Sequence, residues 1–121
     1  MSWTMNICVD LDGTIAKNKV GDQDYADVEP MPDAVKVLNE LKREGYYIVI
    51  FTARNMATCK NNVGKVIARQ GKLVTDWLEK YDIPYDELLF GKPHVDYFID
   101  DKAITFKNWA LTKKVLEDKK N

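Results

Sequence analysis

Apolar residues in this chain fall into short unbroken runs, separated by longer stretches in which they recur at helical spacing. The first run, Asn6-Ile7-Cys8-Val9, shows no alternation and reads as a strand buried on both faces. Residues 15–29 are polar and mixed, with Gly21 and the acids Asp22, Asp24, Asp27 and Glu29, which predicts a loop or small hairpin. Pro30-Met31-Pro32 ends it, and Asp33 is placed to cap a helix carrying Ala34, Val37, Leu38 and Leu41. Gly45 closes that helix. Tyr46 to Phe51 is β-branched and aromatic, a second strand. Residues 54–62 are a polar loop. Val63, Val66, Ile67, Val74, Trp77, Leu78 and Tyr81 then predict a long helix, which Gly64 and Gly71 should bend or delay and Pro84 should end. Leu88-Leu89-Phe90 and Val95-Asp96-Tyr97-Phe98-Ile99 predict two further strands. A last helix runs over roughly 103–117 with Phe106, Trp109, Ala110 and Val115.

Strand, helix, strand, helix, strand, strand, helix predicts an α/β fold: a single Rossmann-like domain over 1–121, its mainly parallel sheet flanked by helices. Residues 12–29 form a flap in this reading and 113–121 a polar tail. In such sheets ligands bind at the carboxyl ends of the strands. Asp10, Thr52 and Asp100 all fall at predicted strand ends.

Composition narrows the function. A chain of 121 residues with 45% hydrophobic residues builds one modest core. A net charge of −1 gives no general attraction to nucleic acid or to an anionic membrane surface. No apolar run approaches the ~20 residues that span a bilayer, and no secretory signal is visible. Cys8 and Cys59 have no metal or redox spacing; Cys8 reads as core and Cys59 as an exposed loop thiol. A reduced, cytoplasmic protein is the expectation.

Asp10 and Asp12 are two apart at a strand end, where side chains of that spacing point the same way. Two carboxylates a few ångströms apart repel by roughly 4 kcal/mol at an effective dielectric of 20. Mg²⁺, which takes oxygen ligands and keeps waters and phosphate in its shell, is the natural partner. Asp100, on a strand able to lie beside the first, would supply another ligand. Gly13 allows a tight turn with amides facing a phosphate. A calcium loop is excluded: counting from Asp10, its fifth, sixth and twelfth positions are Thr14, Ile15 and Gly21.

With Thr52, Lys92 and Asp100-Asp101 following in order, the chain resembles the haloacid dehalogenase superfamily of phosphotransferases. The matching motifs are Asp10-Leu11-Asp12-Gly13-Thr14, Phe51-Thr52-Ala53-Arg54, Gly91-Lys92-Pro93 and Ile99-Asp100-Asp101. The resemblance implies Asp10 as nucleophile and Asp12 as general acid and base. It implies a phosphate site made by Leu11, Thr52, Ala53 and Lys92. It implies Mg²⁺ held by Asp10, Asp12 (through its backbone carbonyl) and Asp100, with Asp101 supporting that shell. Arg54 reads either a second anionic group or an acid of the flap. His94 stands near the leaving group or is a loop histidine without a role. Lys17 and Tyr25 of the flap are placed at the entrance.

Neither gap between motifs can hold a cap domain, because folded units below ~40 residues need extra staples. The site should therefore be open, or covered by a second copy of the chain. The short capless members linked to capsule and surface-polysaccharide biosynthesis are the most similar, which implies a sugar or polyol phosphate as substrate. A polynucleotide 3′-phosphatase is the alternative, although the basic stripe that backbone phosphates require is missing. A non-catalytic phospho-acceptor domain is a further alternative, but it would carry its acidic pair on the first strand.

Overall fold

The computed structural model describes residues 5–120. Three parallel strands form one sheet in the order β1 (Asn6–Asp10), β2 (Tyr47–Thr52) and β3 (Glu87–Phe90). Register is what builds the site. Asp10, the last residue of β1, pairs with Phe51, and Thr52, the last of β2, pairs with Phe90. The three carboxyl ends are therefore level, and the residues that follow each strand meet on one edge. β2 alternates in burial: Ile48, Ile50 and Thr52 are buried, while the residues between them are partly exposed.

Three helices pack with this sheet: α1 (Ala34–Arg43), α2 (Val63–Lys80) and α3 (Trp109–Lys120). Helix α1 packs on α3, and α2 packs on β3 and on a 3₁₀ turn at Tyr25–Asp27. Leu38 and Leu41 of α1, Ile48 and Ile50 of β2, and Val74 and Leu78 of α2 share one core. The two insertion points for a cap hold only the flap with α1, and α2 with β3. The expected α/β class, mainly parallel sheet and missing cap are all present.

Several elements differ from the sequence reading. Val95–Ile99 is not a strand. It runs over the surface, with Tyr97 87% and Ile99 102% exposed, and among the described residues β1 pairs with β2 alone. Its β-branched and aromatic composition satisfies strand propensity, but propensity does not supply a ladder partner. Helix α2 is continuous despite Gly64 and Gly71, because its buried stripe (Val66, Val74, Trp77, Leu78) outweighs two weak formers. Asn62 caps it by accepting from the Lys65 amide at 3.1 Å. Asp33 precedes α1 in a left-handed conformation (φ 66°) and makes no side-chain cap. The last helix, expected over roughly 103–117, starts later and runs from Trp109 through the 113–120 stretch to Lys120; residues 1–4 and 121 lie outside the described residues. The cysteines are reversed: Cys8 is exposed on edge strand β1, and Cys59 is buried against Met56 and Val66.

One ion pair ties α1 to the sheet. The Asp86 carboxylate accepts from the Lys42 ammonium at 2.5 and 2.6 Å and from the Ile48 amide at 2.8 Å. Burial pushes the Asp86 pKa up, but the Lys42 and Ile48 bonds outweigh it and leave the carboxyl below its ordinary value. A lowered native pKa supplies stability that is complete above the unfolded carboxylate range and is lost as pH falls through the native value. Asp86→Asn should lower Tm near neutral pH by roughly 5 °C, about the worth of one charge-assisted hydrogen bond. The gap to wild type should shrink as pH falls through the ordinary carboxylate range toward the lowered native value, where the wild-type carboxyl protonates as well. Thermal melts from pH 3 to 8 check this, and a gap constant across that range would mean the charge is not what matters.

Candidate active site

β1 delivers Asp10 to the edge of the sheet, and the chain then turns sharply. The carbonyl of Leu11 accepts from the amides of Thr14, Ile15 and Ala16, and Gly13 takes φ 87° to close the turn. Leu11 itself is fully buried, so only its backbone can face a ligand. The indole Nε1 of Trp109 donates to the Thr14 carbonyl at 2.8 Å and pins the turn to the start of α3. Nothing in the spacing of the motifs pointed to this role for Trp109.

Lys92 arrives from the end of β3. Gly91 carries φ 95°, and a Cβ there would lie 3.0 Å from Val63 Cγ2, so no other residue suits the position. The Lys92 amide donates to the Thr52 carbonyl at 3.1 Å, locking the β3 end to the β2 end. Its ammonium then reaches Asp10 Oδ1 at 3.1 Å, while Thr14 Oγ1 donates to Oδ2 at 3.3 Å. The Asp10 carboxylate is thus oriented by a cation on one oxygen and a hydroxyl on the other.

Arg54 follows Thr52 and is 5% exposed. Its guanidinium forks onto Asp12, with Nη2 at 2.7 Å from Oδ1 and Nε at 3.1 Å from Oδ2. Of the two roles considered for Arg54 from the sequence, this is the pairing with an acid: its partner is Asp12, the first residue of the 12–29 stretch. Gln70 of α2 accepts from Nη1 at 3.3 Å, and the ring of Tyr25 lies 4.0 Å from the guanidinium carbon. Gln70 was invisible in the sequence, since a polar residue on a helix ordinarily faces water. Its burial was the missing signal. Thr52 is buried, and its hydroxyl oxygen accepts from the Arg54 amide at 3.0 Å, which leaves the hydroxyl proton available to a ligand.

Asp10, Asp12, Arg54 and Lys92 line an open cleft of about 500 Å³, and Thr52 lies beneath it, next to the lining residue Ala53. Asp10, Asp12 and Lys92 meet there with Ala53, Arg54 and His94, and with Asn18, Asn55 and Thr58 at the rim. Tyr25 on the flap and Phe98 on the 95–99 segment contribute aromatic faces, the latter 4.9 Å from the Lys92 ammonium. Tyr25 is at the entrance as expected. Lys17 is instead paired with Glu29 on the surface at 3.3 Å, and Asn18 lines the cleft.

Asp100 and Asp101 are not brought to this cleft. Both are exposed, and Asp100 accepts from the Lys102 amide at 2.8 Å. The cause is the missing fourth strand, which was to have carried them. Among the described residues no group of three or more His, Cys, Asp or Glu side chains is placed to hold a metal ion. The oxygen donors in the cleft have the hard character that Mg²⁺ requires, and Asp10 and Asp12 fit two places in its shell. No described helix is long and apolar enough to cross a membrane.

Comparison with known proteins identifies the family. Residues 7–106 match the family of haloacid dehalogenase-like hydrolases, and the chain belongs to that family. A crystal structure from Vibrio cholerae is similar with a TM-score of 0.77 at 36% identity, covering 96% of this chain and 98% of that one. A conserved protein from Bacteroides thetaiotaomicron shares the fold with a TM-score of 0.57 at 19% identity, covering 96% and 92% of the two chains. Part of a chain in the Pnkp1/Rnl/Hen1 complex shares the fold with a TM-score of 0.54 at 24% identity, covering 83% of this chain and 32% of that one. No curated protein matches the chain.

Proposed function

We propose that this hydrolase is a Mg²⁺-dependent phosphomonoesterase that works through an aspartyl-phosphate on Asp10. The observation that carries the reading is the Asp10 carboxylate, held by Lys92 and Thr14 at an open cleft with Asp12 beside it. An oxygen of Asp10 attacks phosphorus, and the bond from phosphorus to the leaving oxygen breaks. Asp12 gives that oxygen a proton. Water then attacks the same phosphorus, Asp12 takes a proton from it, and Asp10 departs as carboxylate. Lys92 offsets the charge gathered by Asp10 and the phosphoryl group. The Thr52 hydroxyl, with the amides of Leu11 and Ala53, receives phosphoryl oxygens. Phosphoryl transfer asks for this positioning and neutralisation more than for covalent chemistry.

Asp10, the Asp12 backbone carbonyl and Asp100 would hold the Mg²⁺, with Asp101 supporting them. The ion supplies further charge neutralisation at the phosphoryl oxygens when bound. For Asp100 to join, residues 95–99 have to settle against the free edge of β1. That edge has unpaired backbone groups, and the segment carries exposed Val95, Tyr97, Phe98 and Ile99, so each satisfies what the other lacks. Mg²⁺ should therefore slow hydrogen exchange at the outward amides of β1 in wild type but not in Asp100→Asn. Equal exchange with and without Mg²⁺ would remove Asp100 from the metal site.

The substrate in this reading is a sugar or polyol phosphate of polysaccharide biosynthesis, used in the cytoplasm. The rim supports it: Asn18, Asn55, Thr58 and His94 offer donors and acceptors to hydroxyls, and Tyr25 and Phe98 offer faces to a ring. A second copy of the chain is the expected cover for the open cleft. Phosphate release with Mg²⁺ and with EDTA, across sugar phosphates, polyol phosphates, nucleotides and a 3′-phosphorylated oligonucleotide, tests the proposal. Metal-dependent release from a small polyhydroxylated phosphate is expected. Release from the oligonucleotide alone would replace this substrate class with nucleic-acid ends.

A further inference from the structure

The Arg54–Asp12 pair is lopsided. The Arg54 side chain is 1% exposed and the Asp12 side chain 25%. A buried guanidinium requires a partner, because without one it is left as an uncompensated buried charge. The carboxylate lines the cleft with Asp10 and Lys92, and the arginine, which borders the same cleft, is the more deeply buried of the two. We propose that Arg54 is the positioning residue of Asp12, fixing the rotation of the acid/base so that its free lone pairs face the leaving oxygen and the incoming water. This rests on the phosphatase reading above and gives Arg54 a role distinct from substrate recognition.

The geometry of the fork supports the assignment. Two parallel N–H donors at 2.7 and 3.1 Å fix the plane of a carboxylate, which a single contact cannot do. A carboxylate has about four acceptor sites, so the fork leaves one on each oxygen for a proton or a water. Arg54 is itself held from two directions, by Gln70 of α2 and by the Tyr25 ring of the flap. The flap is anchored in turn, because the Trp77 indole donates to the Val28 carbonyl at 2.8 Å. Flap and helix α2 therefore both bear on the orientation of Asp12 through one guanidinium.

The test compares kcat/KM for an alkyl phosphate, whose leaving oxygen needs a proton, with that for p-nitrophenyl phosphate, which needs little help. Arg54→Ala should lose ~100-fold on the alkyl phosphate, the usual cost of misplacing a catalytic group by about 1 Å, and much less on p-nitrophenyl phosphate. Arg54→Lys keeps the charge but cannot fork, and should lose in the same pattern. In an Asp12→Asn background, Arg54→Ala should cost less than about threefold, because the group it positions is gone. Guanidinium added to Arg54→Ala should restore part of the alkyl phosphate rate. Equal losses on both substrates, or a full ~100-fold loss in the Asp12→Asn background, would overturn the assignment and make Arg54 a substrate or scaffold contact. If Arg54→Ala melts below assay temperature, Arg54→Lys and Tyr25→Ala carry the same comparison. Asp12→Asn alone separates the two levels. If it shows no leaving-group dependence, the phosphatase reading fails; if it does and the Arg54 variants do not, only the positioning role fails.

Discussion

Asp10→Asn should leave a folded protein that releases phosphate at least ~10³-fold more slowly, on every substrate the wild type accepts. An amide is too weak a nucleophile toward phosphorus, and a thousandfold loss corresponds to about 4 kcal/mol of barrier. The fold should tolerate the change. Asp10 is the last residue of β1, its side chain is 32% exposed, and an amide oxygen can still accept from Lys92 or Thr14. Asp10→Glu is the sharper control. It keeps the charge and the carboxylate but moves the oxygen by one methylene, and it should be nearly as inactive, because in-line attack depends on position. Steady-state release and a thermal melt of each variant decide the matter. Near wild-type turnover in Asp10→Asn would mean that a water, and not Asp10, attacks phosphorus. Activity in Asp10→Glu close to wild type would mean that the turn from Leu11 to Ala16 does not fix the nucleophile as rigidly as its hydrogen bonds imply.

The ends of β1 and β2 were legible because each is an apolar run that stops at a chemical residue, Asp10 and Thr52, and the run of β3 stops just short of Gly91-Lys92. Parallel register then brought Asp10, Thr52 and Lys92 to one edge, as the order of elements required. The same reasoning failed at Val95–Ile99. Its side chains suit a strand, but a ladder needs a partner, and the pattern is silent about which edge is available. Asp100 and Asp101 depended on that strand, so their distance from the cleft follows from one missing pairing. The cysteines were misjudged for a related reason. Cys8 looked like core because its neighbours are apolar, yet it stands on a strand whose outer edge is bare. The roles of Gln70, Trp77 and Trp109 were not legible because each acts through a long-range contact: with Arg54, with the flap and with the Asp10 turn respectively. Local pattern identifies the candidate reacting groups, and tertiary contacts identify what holds them.

Asp12→Asn should separate the two halves of the reaction. On a sugar or polyol phosphate the leaving alkoxide needs a proton as its bond to phosphorus breaks, and without the acid kcat/KM should fall ~10²- to 10⁴-fold. With p-nitrophenyl phosphate the departing phenolate is already stable, so phosphorylation of Asp10 should proceed at a rate closer to wild type. Hydrolysis of the aspartyl-phosphate still needs a base, and the carboxamide that replaces the Asp12 carboxylate cannot take a proton from water. The variant should therefore release p-nitrophenol in a burst equal to the enzyme present, followed by a slow steady rate. Arg54 makes the result clean: an asparagine in place of Asp12 can still accept one of its N–H bonds, so the buried guanidinium keeps a partner and the cleft its shape. Rapid-quench measurement of p-nitrophenol and phosphate in the first turnover gives both numbers at once. A burst with slow phosphate release assigns both proton transfers to Asp12. Equal losses on the two substrates without a burst would take the acid role away from Asp12, and the search for the proton donor would move to His94 at the same cleft.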